Sequence, residues 1–161
     1  MLFDGAMGTM LQKHGLLVSG ELPDVLNITN PEAITAIHKE YVKAGSDVAT
    51  TNTFGANAHK LKGSGCSVEE VVAAAVCCAK KSGAEFVALG LGPSGELLEP
   101  MGTLSFESAY ELFAEQVVAG AKSGADLIII ETFSDLLEAR AAVLAAKENS
   151  ELPVICTMTF A

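Results

Sequence analysis

Three stretches of the chain carry side chains that could do chemistry. Leu127-Ile128-Ile129-Ile130 is an uninterrupted apolar run that ends on Glu131 and continues as Thr132-Phe133-Ser134-Asp135. A run without alternation suits a parallel strand covered on both faces, so the first charged side chain marks where the strand leaves the core. Parallel sheets and barrels bind ligands at the carboxyl ends of their strands, where a carboxylate is costly to keep unless a cation pairs with it. A helix-capping or loop acid would use the same residue. Near the start, Leu2-Phe3 leads into Asp4-Gly5-Ala6-Met7-Gly8-Thr9, an acid followed by a turn with two glycines that lets backbone N–H groups face a ligand. An ordinary strand-to-helix connection would look alike. Between them, Asp47-Val48-Ala49-Thr50-Thr51-Asn52-Thr53-Phe54-Gly55 is β-branched and ends in an amide and hydroxyls, groups suited to a small polar molecule.

Each stretch needs a strand and a helix to position it. Asn30-Pro31-Glu32 combines an N-cap, a first-turn proline and a first-turn acid, predicting a helix to about Ala44. On it Ala33, Ile34, Ile37, Tyr41 and Val42 fall near one face and leave His38 solvated. The segment from about Gln12 to Asn27 reads as irregular, with His14 at the surface. Ser67-Val68-Glu69-Glu70 is a capping box opening a helix to about Ser82, in which Cys77 and Cys78 read as packing material. Phe86–Gly90 is a third strand, followed by the turn-rich Gly92-Pro93-Ser94-Gly95. Ser105 starts a third helix, Ser134 or Asp135 with Glu138 a fourth, and Pro153–Phe160 forms a fifth strand.

A repeat supports this division. Lys43-Ala44-Gly45-Ser46-Asp47, Lys81-Ser82-Gly83-Ala84-Glu85 and Lys122-Ser123-Gly124-Ala125-Asp126 each end a helix and lead into an apolar strand, at a spacing of roughly forty residues, one βα unit. Such repeats either wind an open sheet or curl into a barrel. The absence of a Gly-x-Gly-x-x-Gly loop argues for the barrel, while an open doubly wound domain binding another small anion stays as an alternative.

The 161 residues, 50% hydrophobic and 19% charged, make a globular domain with a core. A net charge of -10 repels nucleic acid and anionic lipid surfaces, so neither is an expected partner. No apolar run is long enough to span a bilayer, and Met1 leads almost directly into a strand, which points to a cytoplasmic protein with no cleaved leader. The four cysteines, Cys66, Cys77, Cys78 and Cys156, lack the spacing of a disulfide framework and are expected as thiols.

Four stretches taken together resemble the homocysteine S-methyltransferase family: Asp4–Thr9, Thr51–Asn57, Gly92–Gly95 and Glu131–Asp135. Each is modest alone, but the set lies in order at predicted strand ends and spans the chain. It is most similar to the amino-terminal homocysteine-binding barrel of the cobalamin-dependent methionine synthases, with betaine- and S-methylmethionine-dependent enzymes as relatives. The resemblance implies an α/β fold, a (β/α)8 TIM barrel, of which residues 1–161 would be the amino-terminal part, about five strands and four helices. It implies methyl transfer to the zinc-activated thiol of homocysteine, giving methionine. Carried over, Asp4 and Glu131 would hold the substrate ammonium, the backbone of Gly5, Ala6 and Met7 would line the amino-acid site, and Asn52 and Thr53 would be neighbours.

In the family, zinc is held by cysteines on later strands, one after an asparagine and two adjacent after a glycine pair. Cys77-Cys78 matches that pair in letters only, and Cys156 stands alone, so no zinc site is expected within these residues. Cobalamin and methyltetrahydrofolate would act through other domains. A barrel of this kind takes about 250 residues. Five strands would leave open edges, so a homo-oligomer or a complementing chain is expected. The competing expectation is a catalytically inactive partial barrel that serves as an assembly piece or a weak amino-acid binder.

Overall fold

A computed structural model describes residues 1–17 and 20–160. The elements are α1 (Met7–Lys13), α2 (Leu26–Thr29) after one 3-10 turn at Pro23–Val25, α3 (Pro31–Lys43), β1 (Val48–Thr50), α4 (Val68–Lys80), β2 (Phe86–Leu91), α5 (Phe106–Ser123), β3 (Leu127–Phe133), α6 (Leu136–Asn149) and β4 (Val154–Met158). The fold class is the expected one, α/β with consecutive parallel strands, but the counts differ. The first predicted strand is a single parallel bridge, Phe3 to Val48, because two apolar residues before Asp4 and Gly5 are too few to form a ladder. Helices α1 and α2 occupy part of the segment read as irregular, of which residues 18 and 19 lie outside the described residues.

Local signals set the helix starts. Asn30, Ser67, Ser105 and Asp135 each accept a backbone N–H of the first turn, and Ser67 with Glu70 forms the reciprocal box. The repeated helix ends close on Gly45, Gly83 and Gly124 at φ of 108°, 84° and 86°, a left-handed conformation that suits glycine. Asp47 and Asp126, just past two of these glycines, accept the backbone N–H of Leu2 and Val87 at 2.7 and 2.8 Å. Asp47 thereby ties the start of β1 to the segment bridged at Phe3, and Asp126 ties the start of β3 to β2.

The four strands pair in chain order, all parallel. One face buries Val87, Leu89, Leu91, Ile128 and Ile130 against α4, α5 and α6. Gly120 brings α5 down onto β2, since a Cβ there would lie 2.5 Å from Leu89 Cδ2. Phe113 of α5 meets Phe133 of β3 with ring centroids 5.7 Å apart, both rings fully buried; truncating either would cost about 3–5 kcal/mol. The other face gathers Val48, Ala88 and Leu127 with Phe3, Ile129 and Ile155, and among the described residues no helical residue joins that cluster. Helices on one face only are the mark of a barrel wall, whereas a doubly wound sheet carries them on both. A third cluster, Leu11, Ile34, Ile37 and Cys78, joins α1, α3 and α4. Among the described residues no helix is long and apolar enough to cross a membrane.

Two expectations are corrected within the helices. His38, expected in solvent, is fully buried, because Asp4 gives its ring a polar partner inside the fold. Cys78 packs as expected, with Sγ 3.6 Å from the Pro31 carbonyl, but Cys77 on the preceding position of the helix is exposed.

Candidate functional site

The carboxyl ends of β1 and β3 and the loop after Phe3 open into one cleft of about 620 Å³. Asp4, Gly5, Ala6, Met7, Asn52 and Glu131 line it, so six of the seven residues singled out from the sequence come together. Thr53 does not reach the cleft. Its hydroxyl donates to the Gly90 carbonyl at 2.7 Å and lies 2.6 Å from the Thr51 hydroxyl, which accepts the Gly90 N–H at 3.0 Å. The two threonines thus extend the β1–β2 ladder past the end of β1, Thr51 at the cleft wall and Thr53 behind it.

Asp4 is pinned at both oxygens. The Thr50 N–H donates to Oδ1 at 2.9 Å, and His38 Nδ1 lies 3.3 Å from Oδ2. The backbone that follows is held by α3, whose Tyr41 hydroxyl donates to the Ala6 carbonyl at 3.1 Å. The Tyr41 ring packs so closely on Gly5 that a Cβ there would come within 2.8 Å of it. Gly5 is therefore needed for close approach.

Glu131 lies at the mouth of β3. Its carboxyl is held above the usual carboxylate range by burial first and by the charge on Asp4 second. Two carboxylates facing one cleft make a site that a cation would stabilise. The next residue, Thr132, also lines the cleft and adopts φ of 68°, a left-handed conformation unusual for a β-branched side chain, where the β3–β4 register shifts between Ile130 and Phe133. The bulge lets Glu131 leave the ladder while Phe133 returns to the core.

Asn52 lines the wall with its amide committed to structure, as Nδ2 donates to the Pro23 carbonyl at 2.7 Å. Sequence reasoning missed two charged residues of the cleft. Asp24 accepts the Gly55 N–H at 2.9 Å, and burial raises its pKa against the opposing pull of that bond and of Lys60. Lys60 donates to the Pro93 carbonyl at 2.8 Å and sits 5.6 Å over the Phe54 ring, with its pKa lowered by burial. An acid among Leu22, Pro23 and Val25 was the available signal for Asp24; Lys60 carried none. Behind this wall, Ser94 gives both its N–H and its hydroxyl to the buried Glu138 carboxylate.

The zinc implied by the resemblance needs three or four soft ligands that converge. Cys66 is half-buried ahead of α4, Cys77 faces solvent, Cys78 packs against α3, and Cys156 lines an apolar groove beside α6. None of them lines the cleft, and among the described residues no three metal-binding side chains cluster. The residues present do not fit the ion.

The chain is 30% identical to a methionine synthase of Mycobacterium tuberculosis, over 99% of its own length and 15% of that protein, and 30% identical to one from Mycobacterium leprae, over 91% and 13%. In fold it is similar to the Escherichia coli homocysteine methyltransferase MmuM: the oxidized form superposes with a TM-score of 0.85 at 24% identity, covering 96% of this chain and 60% of that one. The apo form gives 0.74 at 25%, covering 99% and 59%. The chain therefore spans well under two thirds of each of these relatives. The family model for homocysteine S-methyltransferase matches residues 1–161, and the chain belongs to that family.

Proposed function

We propose that the cleft is the amino-acid pocket of a homocysteine S-methyltransferase of the methionine synthase type, with homocysteine as its substrate. The observation that carries this reading is the pair Asp4 and Glu131, two carboxylates on one cleft at strand carboxyl ends, with Glu131 above its ordinary pKa until a cation arrives. In the proposed complex the substrate ammonium sits between them. The backbone of Gly5, Ala6 and Met7 and the wall at Asn52 border the rest of the amino acid, while Thr53 supports β2 from behind.

The part of this chain is binding and orientation. The sulfur chemistry is assigned elsewhere, since no cysteine lines the cleft. Zinc activation of the thiol, and methyl donation through cobalamin and methyltetrahydrofolate, would rest on segments that correspond to the remaining length of the relatives. The placement of the four cysteines also favours a second reading of the isolated chain, an amino-acid binder without methyl transfer.

Titration calorimetry with L-homocysteine tests the pocket. Glu131→Gln and Asp4→Asn should each weaken binding by about 10- to 100-fold, the worth of a charge-assisted hydrogen bond. Equal affinity of both variants and the parent would remove the assignment.

The outer edge of β4 is the proposed site of association, through a second copy or a chain bearing further strands. The strand is partly exposed along its length, and an apolar groove of about 400 Å³ runs between it and α6. Light scattering that finds a monomer at every concentration would count against this.

A further inference from the structure

His38 is a buried ring with a polar partner on one side only. Its side chain is fully buried, as is nearly all of Asp4, whose side chain is 3% exposed. Nδ1 faces Asp4 Oδ2, and Nε2 has no hydrogen-bond partner among the described residues. These contacts select a protonation form. With the proton on Nδ1 the ring donates to the carboxylate and leaves only a lone pair unpaired. With the proton on Nε2 it would bury an unsatisfied donor and set a lone pair against the anion.

The ring is also placed to control the cleft. Helix α3 delivers His38 to the Asp4 side chain and, one turn on, Tyr41 to the Ala6 carbonyl, so one rigid element grips both the acid and the backbone beside it. The Thr50 N–H already fixes Asp4 Oδ1. Among the described residues, the His38 contact is what fixes the rotation of the carboxylate about that bond, and with it the direction in which Asp4 faces the cleft shared with Glu131.

We propose that His38 is a positioning residue: its Nδ1–H orients Asp4 so that the carboxylate meets the ammonium of an amino-acid ligand. The inference rests on reading the cleft as an amino-acid pocket. It adds a residue that touches no ligand, and it predicts an effect on one part of the ligand only.

The test compares L-homocysteine with its des-amino analogue, by calorimetry, in the full chain and two variants. His38→Asn keeps an N–H close to the position of Nδ1, and His38→Gln moves it towards the position of Nε2. The asparagine variant should keep the parent's preference for the amino compound within about threefold, and the glutamine variant should lose about tenfold of it, with the analogue bound equally by both. Equal behaviour of the two variants, or a parallel loss for both ligands, would overturn the inference and leave a structural role. A parent that does not prefer homocysteine to the analogue would instead sink the reading of the cleft, and this inference with it. Imidazole nitrogen NMR of the unsubstituted protein reads the same question without a variant. A proton on Nδ1 supports the inference, and a proton on Nε2 alone refutes it.

Discussion

Glu131 and Asp4 line one cleft, and after burial it is the charge on Asp4 that holds the Glu131 carboxyl above its ordinary value of 4.5. The unliganded protein therefore carries an unfavourable charge at the place where it is proposed to bind a cation. Because the folded-state value lies above the unfolded one, the unfolded chain loses this proton first. The contribution to stability is full below the ordinary value and is lost as pH rises through the raised one. Glu131→Gln should thus match the parent in melting temperature in mild acid and exceed it by a few degrees at neutral pH. A pH series of thermal melts checks this. Homocysteine affinity should move the other way, rising as Glu131 ionises.

Gly5→Ala should disrupt the pocket through Tyr41. The new Cβ would lie 2.8 Å from Tyr41 Cε1 and 2.9 Å from its hydroxyl oxygen, so the ring must leave the Ala6 carbonyl. We expect a loss of about 1–3 kcal/mol in urea unfolding and at least about tenfold in homocysteine affinity. Adding Tyr41→Ala makes room, so the double variant should lose less stability than the sum of the single ones.

Thr132→Gly should be tolerated or better. The left-handed backbone at φ of 68° costs a β-branched residue about 1–2 kcal/mol, and glycine removes that cost while adding flexibility to the unfolded chain. A net gain of about 0.5–1 kcal/mol in urea unfolding is expected. A clear loss would mean that the threonine side chain supports the bulge more than its backbone strains it, since the Thr132 N–H that donates to the Thr157 hydroxyl of β4 at 3.4 Å is kept in the variant.

Glu138→Ala should destabilise the protein by about 1.5–3 kcal/mol, because it leaves the Ser94 N–H buried without its acceptor and its hydroxyl with the longer 3.4 Å contact to the Glu96 carbonyl. Ser94→Ala should cost less, as the backbone N–H remains to pair with the acid. Chemical denaturation of the two variants gives the order.

Much of the fold was legible where the signal is local. The unalternating runs at β2 and β3, the four helix caps and the repeated glycine after α3, α4 and α5 depend on a few adjacent residues, and all are found in the structure. Carboxylates placed at predicted strand ends also led to the cleft. What the sequence hid depends on distant partners. His38 looks like a surface residue of an amphipathic helix until Asp4, thirty-four positions earlier, is seen beside it. Asp24 and Lys60 enter the cleft wall through Gly55 and Pro93, contacts that no spacing rule encodes. Helix α1 has no side-chain cap and α2 is four residues long, so neither leaves a trace in the pattern.

Because each strand among the described residues pairs with the one synthesised just before it, these ladders close across loops of roughly forty residues or fewer. Such a sheet can grow by one βα unit at a time as the chain leaves the ribosome, with the newest strand always presenting an open edge to the next. Stalled ribosome complexes should then show protease protection that advances in steps with nascent-chain length, β1 and β2 first.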